Sequence, residues 1–441
     1  MRNFAFRMAV WIWLLLRLTG AAHATDKLLT LEEAVKIALE QNPSTRVARE
    51  GVAGATETVG EARAPYYPDL GLVASYNRWQ RHAFLPSGVV RPGVPSTIGP
   101  TNDWFTGVTT HYTLFDFGKR RAELRAAQAR QGSAEQDANR VLQDIGLSVH
   151  QAYFGLVASI ETEAVARKAL ARAEDHLRVA RARKEAGAVP QADVVRAQVE
   201  VADAQLALER AEGLVRVAKG NLNTAMGLPV ETRVDVDRSP REIVPPARID
   251  LAEALDRAVS TRPELRGAQQ RIEASRRGVD LARSAYGPKV KGEASWGWRD
   301  TTYFPHDKDW LVGVSVDLPI FTGFSRKHRL ARAKSELSRE EADAQRLMQT
   351  VRQEVWSAHS RLRETYEATL STQVQLRDAQ ESLRLASERY QAGAGTITDL
   401  MDSEAALARA EAVRVAALWD YQVARSVLQR TVGELTTEAR P

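Results

Sequence analysis

The sequence predicts a mixed α and β membrane protein, tandem-duplicated, with strands that share a barrel and very long helices that extend from it. Three observations predict this. One pattern of residues occurs twice, helical periodicity runs far beyond the length of a globular helix, and period-two runs of about ten residues carry tryptophans at one end.

At the start, Arg2 and Arg7 precede an apolar run from Ala9 to Leu16, and Ala22-His23-Ala24 supplies a small-x-small cleavage site. Residues 1–24 read as a secretory signal peptide, with Thr25 as the first mature residue. An uncleaved anchor is the alternative, but about 20 apolar residues are needed to span a bilayer and Arg17 interrupts this run. The chain has 0 cysteines, which excludes disulfides, thiolate metal sites and a lipid-modified cysteine. Membrane attachment must then come from protein surface. Losing Arg2, Arg7 and Arg17 takes the formal charge from +5 to +2, which gives no electrostatic argument for nucleic acid.

The duplication is legible in two offsets. Leu31-Glu32-Glu33-Ala34 through Asn42-Pro43 matches Leu251-Ala252-Glu253-Ala254 through Arg262-Pro263, 220 residues on, and Ala62 through Pro68 matches Ala282 through Pro288 likewise. From Asp103-Trp104 and Asp309-Trp310 onward the offset is 206, and it pairs Gly187 with Gly393, Asp193 with Asp399, and Gly227 with Gly433. The first half therefore holds 14 extra residues, placed in a loop between Trp79 and Asp103. The expected units are residues 25–228 and 251–433, joined by a linker over 229–250 and followed by a tail over 434–441.

Prolines crowd Pro65 to Pro100 and then vanish from Thr101 to Val189. Val141, Ile145, Val149, Ala152, Leu156, Ile160 and Ala164 follow three- and four-residue steps, and Met348, Val351, Val355, Ala358, Leu362 and Tyr366 repeat them. Long helices are expected over 118–186 and 324–392, each roughly 100 Å at 1.5 Å per residue. Gly187-Ala188-Val189-Pro190 ends the first, and return helices follow over 190–226 and 396–432. The return helices are about half as long, so Pro43–Ala64 and Pro263–Ala285 are expected to partner the other halves.

Strands are expected over 69–79, 103–114, 289–299 and 309–320. Val312, Val314, Val316 and Leu318 fall on one face of the last, and tryptophans at one end suit an interfacial girdle. A soluble sheet with one wet face is the alternative. Exposed strand edges are not tolerated in lipid and single-chain barrels start at about eight strands, so four strands per chain require a shared barrel. Two or three protomers both satisfy closure.

The duplicated Leu-x-Glu-Ala start, Tyr66 and Tyr286 before the strands, and Leu114-Phe115-Asp116-Phe117-Gly118 and Ile320-Phe321-Thr322-Gly323-Phe324 after them form one ordered set with the tip turns. Those turns read Gly187-Ala188-Val189-Pro190-Gln191-Ala192-Asp193-Val194 and Gly393-Ala394-Gly395-Thr396-Ile397-Thr398-Asp399-Leu400. In this order and spacing, over residues 29–433, the chain resembles the TolC-like outer membrane factor family. The resemblance implies a homotrimer in the outer membrane of a Gram-negative cell: a 12-stranded barrel continuous with a periplasmic α-helical barrel, with the linker in a mixed equatorial region. It implies passive conduction of exported, small-molecule substrates, with a periplasmic adaptor and an inner-membrane pump of the RND or ABC type as partners. A duct for type I protein secretion is the alternative within the family. From another class, a structural coiled-coil surface protein would account for the helices but not for strands alternating toward lipid.

The resemblance also places Asp399 and Asp402 at the periplasmic entrance, with Asp193 and Tyr390 near the same aperture. Three copies of each aspartate around one axis would form acidic rings that favour cations. Alternatively, Thr396 and Asp399 form a capping box and Asp193 complements a helix N-terminus; both roles can hold together. A TolC-like chain carries an arginine where this one has Gly395, which implies a differently built closed state. The tips Gly187, Ala188, Val189, Gly393, Ala394 and Thr396 are expected to dock the adaptor. The 8 histidines lack metal-ligand spacing, and no nucleophile elbow or phosphate loop occurs, so no enzyme, cofactor or metal site is expected.

Overall fold

A computed structural model describes residues 28–82, 97–239, 243–246 and 250–435. The signal-peptide reading, residues 240–242 and 247–249 of the linker and residues 436–441 of the tail lie outside the described residues. Thr30 opens the first helix with a capping box: its hydroxyl accepts the Glu33 amide, and Glu33 accepts the Thr30 amide. Helix α1 (Leu31–Gln41) stops where Asn42 turns extended before Pro43, and α2 (Pro43–Arg63) then runs to a short 3-10 turn, Ala64–Tyr66. Strands β1 (Asp69–His82) and β2 (Thr97–Phe115) follow, then α3 (Lys119–Glu185) and α4 (Gln191–Met226). The second half repeats the order with α5 (Leu251–Thr261), α6 (Pro263–Ser284), β3 (Lys289–Asp300), β4 (Asp307–Asp317), α7 (Ser325–Gln391) and α8 (Ile397–Val432). Both long helices have 67 residues and both return helices 36, so the duplication is kept to the residue.

Two strand expectations are corrected. The first hairpin runs past Trp79 and begins again before Asp103, so part of the extra length is strand. Pairing shifts between Trp79 and Arg81, opposite Pro100, and a bulge is where a residue without an N–H can enter a ladder. At the other end β4 closes at Asp317 rather than residue 320, since Pro319 cannot donate to a partner strand.

The sheet is antiparallel in the order β1-β2-β3-β4. Below it, α3 is the central helix: it packs on α2 and α6 toward the sheet, and on α4 and α8 toward the tips. Pro43–Ala64 and Pro263–Ala285 thus lie where the long helices need partners, but α3 also takes α6 and α8 from the other repeat. Its middle is accordingly buried on several sides, by Ile145, Val149, Tyr153, Phe154, Leu156 and Val157, around α1, the end of α4 and Trp419. Tyr153 reaches the carbonyls of Leu29 at 3.0 Å and Asp237 at 2.8 Å, which ties the segment before α1 and the linker to this core. A second core joins α5, α7 and α8 through Val351, Val355, Leu362 and Tyr421.

The motifs after the strands fix the junction of sheet and helices. Arg120 binds the Asp116 carboxylate at 2.8 Å and lies over the Tyr66 ring at 5.0 Å. Arg326 repeats this with the Thr322 hydroxyl at 3.1 Å and the Tyr286 ring at 5.2 Å. These arginines explain why tyrosines precede the strands.

Candidate functional site

Residues paired across antiparallel strands point to the same side of a sheet, so the register assigns every side chain to a face. Val290, Gly292, Ala294 and Trp296 pair with Val316, Val314, Val312 and Trp310. Through Ala294 and Trp296 the same face continues to Thr110 and Val108, and then to Leu70 and Leu72. This face is apolar and largely exposed, with Val314 at 67% and Leu72 at 80%. Tyr76, Trp104, Trp296 and Trp310 crown it near the hairpin ends, and the opposite end carries exposed Phe115, Phe117, Phe321 and Phe324. From Trp310 to Leu318 is about 27 Å at 3.4 Å per residue, the height of the apolar band of an outer-membrane barrel. The other face bears Lys289, Lys291, Glu293, Ser295, Arg299, Asp309 and Ser315. One face suits lipid and the other water.

Strands β1 and β4 are the edges of the sheet, each paired on one side only. Such edges are excluded from hydrocarbon unless another chain pairs with them. The β1 strand leaves the helical end and β4 returns to it, so β4 of one copy and β1 of the next meet antiparallel. A heterologous contact of this kind generates a ring where its rotation closes and an open filament where it does not. Among the described residues no helix is long and apolar enough to cross a membrane.

At the far end, Gly187 and Gly393 hold φ of +75° and +77°, the left-handed conformation that ends α3 and α7. A side chain on either would meet nothing within 4 Å, so both face open space. Ala188, Ala394 and Thr396 are exposed beside them and Val189 is half-buried. The Thr396 and Asp399 capping box is present, with the Asp399 amide 3.1 Å from the Thr396 hydroxyl. Hydrogen bonds from Thr396, through its hydroxyl and its amide, hold the Asp399 carboxyl below the usual range, and the charge of Arg389 acts in the same sense. Asp402 is exposed one turn on, and Asp193 lies in the first turn of α4. The position of Gly395 is crowded: a Cβ there would stand 3.1 Å from the Arg389 Cβ.

Tyr390 is placed differently from the three aspartates. It is 4% exposed, packed with Ile397 and Leu400, and its hydroxyl is buried with no hydrogen-bond partner in the protomer. Its ring lies 4.8 Å from the Arg183 guanidinium, which donates to the carbonyls of Tyr390 at 2.7 Å and Gln391 at 2.5 Å. Arg196 donates to the Thr398 hydroxyl at 3.0 Å. The two hairpin tips are therefore cross-linked by arginines of the first repeat that sequence reading missed. Arg183 sits in the last turn of α3, a basic residue at a helix end, but nothing in its spacing names a partner in α7.

Above the tips, an ionic cluster joins α3, α4 and α8. Glu404 is 6% exposed and takes Arg172 Nε at 2.9 Å and His176 Nε2 at 2.8 Å, while Arg172 also reaches Glu411 at 3.2 Å. The hydrogen bond to Glu404 raises the pKa of His176 against the effect of burial. Burial raises that of Glu200, which has a carboxylate oxygen without a partner. Among the described residues no group of three or more acids and histidines is disposed to hold a metal.

The model of the outer membrane efflux protein family matches residues 34–228 and 254–434. Protein CyaE of Bordetella pertussis is 30% identical over 395 residues, covering 85% of this chain and 78% of CyaE. The pyoverdine export outer membrane protein OpmQ of Pseudomonas aeruginosa is 26% identical over 407 residues, covering 89% and 81%. Among solved structures, the outer membrane protein VceC from Vibrio cholerae superposes with a TM-score of 0.77 at 20% identity, over 91% of this chain and 96% of VceC. Repeat, sheet, helices and matched residues agree, and the chain belongs to the outer membrane efflux protein family.

Proposed function

We propose that three copies of this chain close one twelve-stranded barrel and conduct small molecules passively from periplasm to exterior, with a periplasmic adaptor and an inner-membrane pump. The observation that carries the reading is the four-stranded sheet itself, apolar on one face, charged on the other, with both edges unpaired. Small-molecule cargo is supported by the pyoverdine export named for a relative. The adaptor docks at the tips, on Gly187, Ala188, Val189, Gly393, Ala394 and Thr396, which are the most distal points of the helices. Asp399 and Asp402, three residues apart, lie on one side of α8 and ring the periplasmic entrance, with Asp193 on the neighbouring hairpin. Tyr390 serves the entrance from within, as the platform on which Arg183 holds the two tips together.

Purified protein in planar bilayers tests this. Wild type should form cation-selective channels, and the Asp399→Asn, Asp402→Asn double variant should show reduced selectivity and reduced block by divalent cations added on the periplasmic side. If that variant loses only thermal stability while selectivity is unchanged, the aspartates are caps and the entrance assignment fails.

A further inference from the structure

Near the hairpin ends of the water-facing side, one arginine is held across three strands. Arg299 of β3 contacts Asp103 of β2 at 3.2 Å and Asp309 of β4 at 3.1 Å. Its guanidinium carbon lies 5.2 Å from the centre of the Phe105 ring. Phe105 is 8% exposed although it stands on an open sheet face. The reason is beneath it: Gly107 and Gly297 face each other in register, and a Cβ on Gly107 would come within 2.8 Å of the Phe105 ring. A Cβ on Gly297 would come within 2.3 Å of the Thr106 carbonyl oxygen. The two glycines form a floor free of side chains, Phe105 lies on it, and Arg299 covers the ring.

The arrangement keeps both the aromatic ring and the long cation against the wall. Asp307, paired in register with Arg299, adds another carboxylate on the same face. Three acids against one base leave the patch acidic in every copy. The nearby Lys308 does not offset it, because it pairs with Trp298 and so belongs to the lipid face.

We propose that Asp103, Arg299 and Asp309 form a second charge filter, at the extracellular mouth, in which Arg299 sets how strongly the pore favours cations. The inference rests on the shared-barrel reading of the chain and is independent of the aspartates at the periplasmic entrance. A unit charge about 10 Å from a passing ion changes its local concentration about two-fold in water. Screening removes this at high salt and preserves it at low salt, where the Debye length is about 30 Å at 0.01 M.

The test is the potassium-to-chloride permeability ratio of purified channels in planar bilayers under gradients of dilute and concentrated KCl. At low salt Arg299→Gln should raise the ratio about two-fold, and Asp103→Asn with Asp309→Asn should lower it by at least as much. Both shifts should vanish near 1 M salt, where the Debye length is about 3 Å. Magnesium chloride added on the extracellular side should block Arg299→Gln more than wild type and the double asparagine variant less. Should Arg299→Gln assemble poorly, Asp309→Asn alone, which leaves Arg299 its contact with Asp103, should lower the ratio. Variants that form conducting trimers with the wild-type ratio at low salt overturn the filter. Absence of any wild-type channel would instead strike at the barrel reading.

Discussion

Glu404→Gln removes the charge on which Arg172 and His176 converge. The carboxylate is buried and receives both at 2.8–2.9 Å, while Arg172 retains Glu411 at 3.2 Å. Hydrogen bonds to charged groups contribute about 1.5–3 kcal/mol each. Losing most of the His176 bond and part of the Arg172 bond then costs about 2–3 kcal/mol per protomer. The contact joins α3 to α8 near the tips, far from the sheet, so trimers should survive and the loss should be local. Hydrogen exchange read by mass spectrometry on peptides from residues 165–185 and 397–411 should show protection reduced about 30- to 150-fold, since 1.4 kcal/mol is tenfold. The pH dependence carries the sign. His176 has its folded pKa raised above the unfolded value, so its contribution is complete below about 6.5 and is lost as pH rises through the folded value. Glu200, raised by burial, also holds its proton more tightly when folded, and its ionisation at rising pH weakens the same interface. Wild-type protection, corrected for intrinsic exchange, should fall as pH rises above about 6.5, and the fall should be shallower in Glu404→Gln. Equal protection in both proteins, or protection that rises with pH, would refute this role of the Glu404 cluster.

Val314→Arg sets a charge on the lipid face at about 2–4 kcal/mol per copy, and the threefold assembly multiplies it; heat-modifiable trimer on gels should disappear, whereas Ser315→Arg on the opposite face should assemble. Gly187→Trp with Gly393→Trp forces side chains into left-handed backbone at about 1–2 kcal/mol each and fills the open space at both tips. Trimer yield should be near normal while export in a complemented deletion strain is lost; continued export would move docking elsewhere. Tyr153→Phe removes the hydroxyl that reaches Leu29 and Asp237 and should cost about 1–3 kcal/mol, seen as faster exchange at residues 28–30 and 234–237. Unchanged exchange there would mean that the linker is held by other contacts.

The sequence by itself determined the repeat, the strand faces and the helix ends, because each is written in local periods. Val312, Val314 and Val316 alternate, Pro43 and Pro263 break helices, and Gly187 and Gly393 end them, whatever else the chain does. The Thr396 and Asp399 cap was legible for the same reason, its partners being three residues apart. Lateral order was decided only in three dimensions. That α3 takes α6 and α8 as neighbours, that Arg183 closes on Tyr390 207 residues away, and that His176 meets Glu404 across 228 residues follow from which helix faces fit side by side. A long helix of alanines and charges carries no period that names its partner. The second hairpin could be placed from its alternation, but the first could not be bounded, since its bulge beside Pro100 depends on the strand opposite. Tyr390 is placed near the aperture by the resemblance; Ile397 and Leu400 of the return helix and Arg183 of the neighbouring tip bury it, because burial is a property of two surfaces and the sequence of one helix describes a single surface.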